Sequence, residues 1–187
     1  MSKEVEIKFL VDDVPALVRQ LRRAGFRLVT RRTHEMNTLY DDAAQSLRSR
    51  GDLLRIRKYG DRWLLTHKSK GSVGRHKSRT ETETAIADGE KLAGIFQALG
   101  FTPSFRYEKF RSEWSDGKGH VVVDETPIGN VSEIEGPPRW IDSTAGRLGV
   151  SREGYITETY AQMFFDWKAK TRSKATEMTF KAVKKRM

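Results

Sequence analysis

The residues Glu4-Val5-Glu6-Ile7-Lys8-Phe9, EVEIKF, alternate without a break close to the start of this 187-residue chain. In a β-strand successive side chains point to opposite faces. Glu4, Glu6 and Lys8 therefore share one face, and Val5, Ile7 and Phe9 share the other. One reading is a half-solvated edge strand. The other is a stave of a site that holds a metal together with a phosphate. The hexapeptide fits both, so the decision rests on whether the pattern repeats.

It repeats along the chain. LLRIRKY (53–59) aligns Arg55, Arg57 and Tyr59, and RWLLTHK (62–68) aligns Leu64, Thr66 and Lys68. SRTETETAI (78–86) aligns Arg79, Glu81 and Glu83. RYEKFRSEW (106–114) aligns Tyr107, Lys109, Arg111 and Glu113, with Phe110 and Trp114 opposite. HVVVDET (120–126) aligns Val122, Asp124 and Thr126; NVSEIEG (130–136) aligns Val131, Glu133 and Glu135, with Ile134 opposite. With strand character at 26–41 this makes about eight strands and no βαβ rhythm. Short connections such as Gly60-Asp61 imply antiparallel pairing. A sheet this long removes its edges by closing.

Helical spacing marks residues 12–24, with Leu17, Leu21 and Ala24 before Gly25, and residues 88–99, with Leu92, Ile95, Phe96 and Leu99 before Gly100. A short turn or helix is expected near 43–50 and further helices near 141–148 and 157–168; Tyr160, Met163, Phe164 and Trp167 give the last one apolar face. The fold class expected is α+β: a closed eight-stranded antiparallel β-barrel, charged inside and covered outside by helices. Burying unpaired charge costs several kcal/mol per group, so such a lumen is solvated, internally paired or filled by ligand. The division expected is a barrel domain over 1–168 and a mobile basic tail over 169–187.

The formal net charge of +10 calls for a polyanionic partner. The chain has no cysteine, and His34, His67, His76 and His120 show no metal-ligand spacing, so a metal would be a hard ion on carboxylates. No apolar run reaches about eighteen residues, which predicts a cytoplasmic protein with no membrane partner. The basic loop at 68–79 and the tail at 181–186 invite nucleic acid. The aromatic residues, however, fall on files that read as structural rather than as stacking platforms, so a nucleic-acid partner is not expected. Tyr40 is a candidate to order a lumenal acid or water.

Glu4-Val5-Glu6-Ile7-Lys8 resembles the ExExK signature of the CYTH superfamily, the triphosphate tunnel metalloenzymes. The resemblance continues in order: Leu54-Arg55-Ile56-Arg57, Thr66-His67-Lys68, Arg79-Thr80-Glu81-Thr82-Glu83, Lys109-Phe110-Arg111, Asp124, and Glu133-Ile134-Glu135. Asn37–Asp42, NTLYDD, resembles a further segment of that family, from which Leu39, Tyr40 and the second Asp depart. The resemblance implies a triphosphate substrate and Mg²⁺ or Mn²⁺. It places the metal on Glu4, Glu6, Asp124, Glu133 and Glu135, and the triphosphate on Lys8, Arg55, Arg57, Lys68, Arg79, Lys109 and Arg111. Asp124 could instead orient a cationic neighbour, and Glu81 and Glu83 either hold metal or pair with the bases. Glu4, Glu6 and Lys8 are the expected catalytic residues. The expected reaction is metal-dependent hydrolysis of inorganic triphosphate or a small organic triphosphate. The alternative is a class IV-type adenylyl cyclase, giving cyclic AMP and pyrophosphate from ATP. A homodimer is compatible with the family.

Overall fold

A computed structural model describes residues 2–184 of the chain. The strands, in chain order, are β1 (Ser2–Val11), β2 (Arg27–Asp41), β3 (Leu53–Tyr59), β4 (Arg62–Lys68), β5 (Ser72–Val73), β6 (Lys77–Ile86), β7 (Thr102–Ser115), β8 (His120–Thr126) and β9 (Gly129–Glu135). The helices are α1 (Val14–Arg23), α2 (Ser46–Arg50), α3 (Gly89–Ala98), α4 (Pro138–Arg147), α5 (Tyr160–Thr171) and α6 (Phe180–Lys184). The pairing order is β1-β9-β8-β7-β2-β3-β4-β6, and β6 returns to β1, so eight antiparallel strands close a barrel. The short β5, which strand periodicity does not reveal, lies beside Lys77 and Ser78 of β6.

Helices are packed on the outward files. Asp13 caps α1 by accepting from Ala16 N at 2.8 Å, and Leu17 and Leu21 lie buried on one helix face. With α4 they cover Ile7 and Phe9 of β1, Trp114 of β7, Val121 and Val123 of β8, and Ile134 of β9. On the other side, Phe96 and Leu92 of α3 cover Ile56, Leu54, Trp63 and Leu65. This close approach needs a glycine: a Cβ on Gly89 would come within 2.2 Å of the Trp63 ring. Tyr40 belongs to this outer layer, its ring edge-on to Phe96 at 5.1 Å, so it does not reach the lumen.

The closure is short. β1 meets β6 only over Ser2 to Glu6, and β8 covers β7 only from Phe110 onward. Two later segments satisfy the backbone left open, as buried N–H and C=O groups require. Lys8 exchanges both backbone hydrogen bonds with Ile156 at 2.8 Å. Met178 donates to Arg106 O and accepts from Glu108 N, each at 3.0 Å. Inside, the apolar ends of the inward files, Phe105, Tyr107 and Val131, pack against Tyr160 and Phe164 of α5 and against Met178, so α5 stoppers one end of the barrel.

From Lys168 to Phe180 the chain is therefore not a loose tail. α5 runs on to Thr171, Met178 is fully buried, and the Phe180 ring sits 5.5 Å from that of Phe110. Lys170, Arg172, Lys174, Lys181 and Lys184 are exposed, and two apolar residues with one backbone bridge anchor the segment, a signal too sparse for periodicity. Lys185 and Arg186 of the expected basic tail lie outside the described residues. No described helix is long and apolar enough to cross a membrane. Met178→Ala is expected to cost about 2–5 kcal/mol in chemical denaturation, whereas Lys174→Ala changes stability by less than about 0.5 kcal/mol. Equal small effects would mean the segment carries no weight in the fold.

Candidate active site: a charged tunnel

The lumen is a cavity of about 640 Å³. Eight basic and seven acidic side chains line it, among them Glu4, Glu6, Lys8, Arg55, Arg57, Lys68, Arg79, Lys109, Arg111, Glu133 and Glu135. The strand register sets opposite charges side by side: Lys8 faces Glu133, Glu4 faces Arg79, Lys68 faces Glu81, Glu35 faces Lys109, and Arg111 faces Asp124.

The ion pairs run almost all the way round. From β1, Glu4 accepts from Lys68 at 2.7 Å, and Lys68 reaches Glu81 at 2.9 Å. Arg55 lies 3.9 Å from Glu81 and 3.6 Å from Glu83, and Arg57 lies 3.9 Å from Glu83 and 3.7 Å from Glu35. Glu35 meets Lys109 at 3.5 Å, and Lys109 donates to Asp124 at 2.9 Å. Arg111 bridges Asp124 at 2.6 Å and Glu133 at 2.5 Å. Glu133 meets Lys8 at 3.4 Å, Lys8 donates to Glu6 at 2.7 Å, and Lys77 lies 3.7 Å from Glu6. Glu81 and Glu83 are thus partners of the basic residues.

The ring sets the protonation states. Burial opposes the charge on Glu35, but Lys109, Arg57 and Arg111 outweigh it and hold its carboxyl well below the usual range. Glu133, also buried, is held down by Arg111 and Lys8. Burial also opposes the charge on Lys8, and Glu6 and Glu133 overcome it, so the ammonium persists. Glu135 is different. Burial, then the carboxylates of Glu4, Glu133 and Glu6, push it up to about 7. Among the described residues no ion pair holds it.

Among the described residues no three acids converge as a closed metal cage, because Glu4, Glu6 and Glu133 are each drawn to a lysine or arginine. The chemistry of the set still fits a divalent cation. Four carboxylates of adjacent strands β1 and β9 crowd one region, and one of them lacks a counter-charge. Orphaned donors elsewhere in the ring fit an anion: the buried Nε atoms of Arg55 and Arg79 have no hydrogen-bond partner.

Asp124 does not fit a metal ligand. It is fully buried, and its oxygens accept from Lys109, twice from Arg111, and from the Tyr160 hydroxyl at 2.5 Å. Those donors leave it no open face toward the cavity, so it holds cations in place. Two contributors escaped the sequence reading. Glu35 shares the inward file of β2 with Asn37, whose side-chain amide donates to it at 2.8 Å. Alternation through Thr33, Glu35, Asn37 and Leu39 carried that signal. Tyr160 reads from helical spacing as packing, yet its ring lies 4.3 Å from Lys109 Nζ and its hydroxyl grips Asp124. No spacing rule shows that.

The described residues thus build a closed antiparallel barrel around a lumen of both charge signs. The CYTH domain model matches residues 2–137, and the chain belongs to that family. A Methanocaldococcus jannaschii protein provisionally named an adenylate cyclase is 28% identical over 171 residues, covering 86% of this chain and 97% of that protein. The fold recurs in a Vibrio parahaemolyticus protein, also provisionally named an adenylate cyclase, with a TM-score of 0.78 at 17% identity over 87% of this chain and 97% of that one. It recurs in a Hippeastrum protein with a TM-score of 0.65 at 19% identity over 89% and 96%.

Glu35→Gln leaves Lys109 and Arg57 short of a buried counter-charge and is expected to cost about 3–5 kcal/mol. Because the folded carboxyl titrates below its unfolded value, the difference from wild type is present above the unfolded value. It should hold steady from about pH 8 to 5, shrink progressively as pH falls below the unfolded value, and be gone by the folded value. Urea melts across pH check this; a difference already fading near pH 6 would contradict the pairing.

Proposed function

We propose that the chain is a metal-dependent triphosphate hydrolase whose substrate lies along the tunnel. The observation that carries this reading is the near-balanced ring of eight bases and seven acids around one cavity. A purely basic lumen would suit a bare polyanion; a lumen of both signs suits a polyphosphate bound together with a divalent cation. Glu4, Glu6, Glu133 and Glu135 would hold Mg²⁺ or Mn²⁺. When bound, the ion supplies charge neutralisation on the phosphate oxygens and lowers the pKa of a coordinated water.

The remaining chemistry belongs to the bases. Phosphoryl transfer needs positioned positive charge more than covalent assistance. Lys8, Arg55, Arg57, Lys68, Arg79, Lys109 and Arg111 bind the non-bridging oxygens, arginines in the forked geometry that matches phosphate. Asp124 and Glu35 position Lys109 and Arg111 rather than touch substrate. Water attacks the terminal phosphorus, the bond to the bridging oxygen breaks, and phosphate and a diphosphate leave.

The adenylyl cyclase reading is kept because the Methanocaldococcus jannaschii relative carries that name. It uses the same tunnel with the ribose hydroxyl as nucleophile and pyrophosphate as leaving group. The Hippeastrum structure is described as a provisional adenylyl cyclase that reveals a dominant triphosphatase activity, so a cyclase name does not fix the reaction.

Phosphate release from inorganic triphosphate and ATP is expected with Mg²⁺ and not with EDTA. The Glu4→Ala, Glu6→Ala double variant should lose at least about 100-fold in kcat. Metal-dependent release no greater than in the double variant would sink the hydrolase reading. Cyclic AMP with pyrophosphate, in place of ADP with phosphate, would establish the cyclase.

A further inference from the structure

Helix α5 meets the tunnel with its first residue, Tyr160. The cap before it, Thr159, accepts from Gln162 N at 3.2 Å, and four residues upstream Ile156 is bridged to Lys8. The tyrosine is buried and lies beyond residues 2–137, the stretch that the CYTH model matches. Packing explains the buried ring but not the direction of its polar end. The hydroxyl donates at 2.5 Å to Asp124 Oδ2, which also accepts from Lys109 Nζ at 2.9 Å and from Arg111 at 2.6 Å. Burial and the Asp124 carboxylate hold the hydroxyl's pKa well above the usual tyrosine range, so it stays a donor. The ring faces two lumenal lysines, 4.3 Å from Lys109 Nζ and 5.8 Å from Lys8 Nζ. It also stacks at 5.8 Å on Tyr107, whose hydroxyl accepts from Arg55 at 3.2 Å.

Lys109 is thus held from three sides: Asp124 and Glu35 draw its ammonium by charge, and the Tyr160 ring closes the stoppered side. A carboxylate offers about four lone-pair positions. On Asp124 one bond from Lys109, two from Arg111 and one from Tyr160 fill them. Removing the hydroxyl opens one position, onto which Lys109 can swing out of line with the cavity.

We propose that Tyr160 is a positioning residue for the reaction in the tunnel: it fills the last open position on Asp124 and backs the Lys109 ammonium, so that Lys109 is aimed at phosphate. This rests on the reading of the tunnel as a triphosphate site and adds a residue of α5 to its machinery. The other bases hold the bound substrate. A misaimed Lys109 therefore costs most in the transition state, where charge develops.

Steady-state turnover of inorganic triphosphate and of ATP, each with Mg²⁺ and scored for whichever product forms, tests this. Tyr160→Phe keeps the ring and removes the hydroxyl; it should lower kcat about tenfold with KM within about twofold. In a Lys109→Gln background the same change should alter kcat less than about twofold, because the cation to be aimed is gone. Tyr155→Phe removes a hydroxyl bonded to Asp142, outside the tunnel lining, and should leave kcat at the wild-type value. Wild-type kcat in Tyr160→Phe, whatever its urea midpoint, makes the tyrosine a packing residue and overturns the proposal. An equal loss with and without Lys109 overturns it too. If Lys109→Gln does not fold, the split between kcat and KM in Tyr160→Phe decides alone. A wild-type protein that turns over neither substrate overturns the tunnel reading, and the role of Tyr160 with it. Cyclic AMP in place of phosphate defeats hydrolysis alone, and the same kcat comparison then decides the role of Tyr160.

Discussion

Everything in this barrel depends on keeping buried charges paired. A carboxylate or ammonium taken from water costs several kcal/mol unless an opposite charge and hydrogen bonds replace the lost solvation. Here the replacement is arranged by register. Because inward side chains recur every second residue and strands run antiparallel, a one-residue slip would send a charged file into the helix-packed exterior. The apolar outer files and the paired inner files therefore specify the same register. The chain of pairs from Glu4 through Lys68, Arg55, Arg57, Glu35, Lys109, Arg111 and Lys8 back to Glu6 is a consequence of that agreement.

The same register explains why the closure can be short. Once β1 pairs with β6 over its first residues, the strands splay, and each exposed edge takes one backbone bridge from a later segment: Ile156 on β1 and Met178 on β7. These bridges also deliver residues that line the lumen. Ile156 leads into Thr159 and Tyr160, which reach the lumen from the stoppered end. Fold closure and the shape of the tunnel mouth are one structural problem with one solution.

Much of this was legible in the sequence, and the reason is the period. The files Glu4/Glu6/Lys8, Arg55/Arg57, Lys109/Arg111 and Glu133/Glu135 announce their shared faces by alternation alone, and the outer files at Ile7, Trp114 and Ile134 announce the core. What period two does not carry is which side a mixed file takes. β2 carries polar and apolar residues on both files, and from Thr33 to Leu39 its register is continuous, so alternation separates Glu35 from Tyr40 without saying which of the two faces inward. Tyr160 was hidden for a different reason. Helical spacing reports that a face is buried and says nothing of a hydroxyl at its tip. The anchor at Met178 was hidden because a single buried residue among lysines has no periodicity at all.

The paired lumen also constrains what can enter it. A bare triphosphate would meet seven lining acids as well as eight bases, and each lysine it recruited would leave a buried carboxylate exposed to like charge. On the proposed reading a metal–triphosphate complex avoids this, because Lys8 and Lys68 turn to phosphate oxygens as Glu6 and Glu4 turn to the cation. Every buried charge then exchanges one opposite partner for another. Glu135 gains most, since of the four carboxylates of β1 and β9 it alone makes no ion pair in the described residues, and burial with its neighbours pushes it up to about 7. On that reading the tunnel would select the complex over either component, a property of the charge arrangement rather than of any single residue.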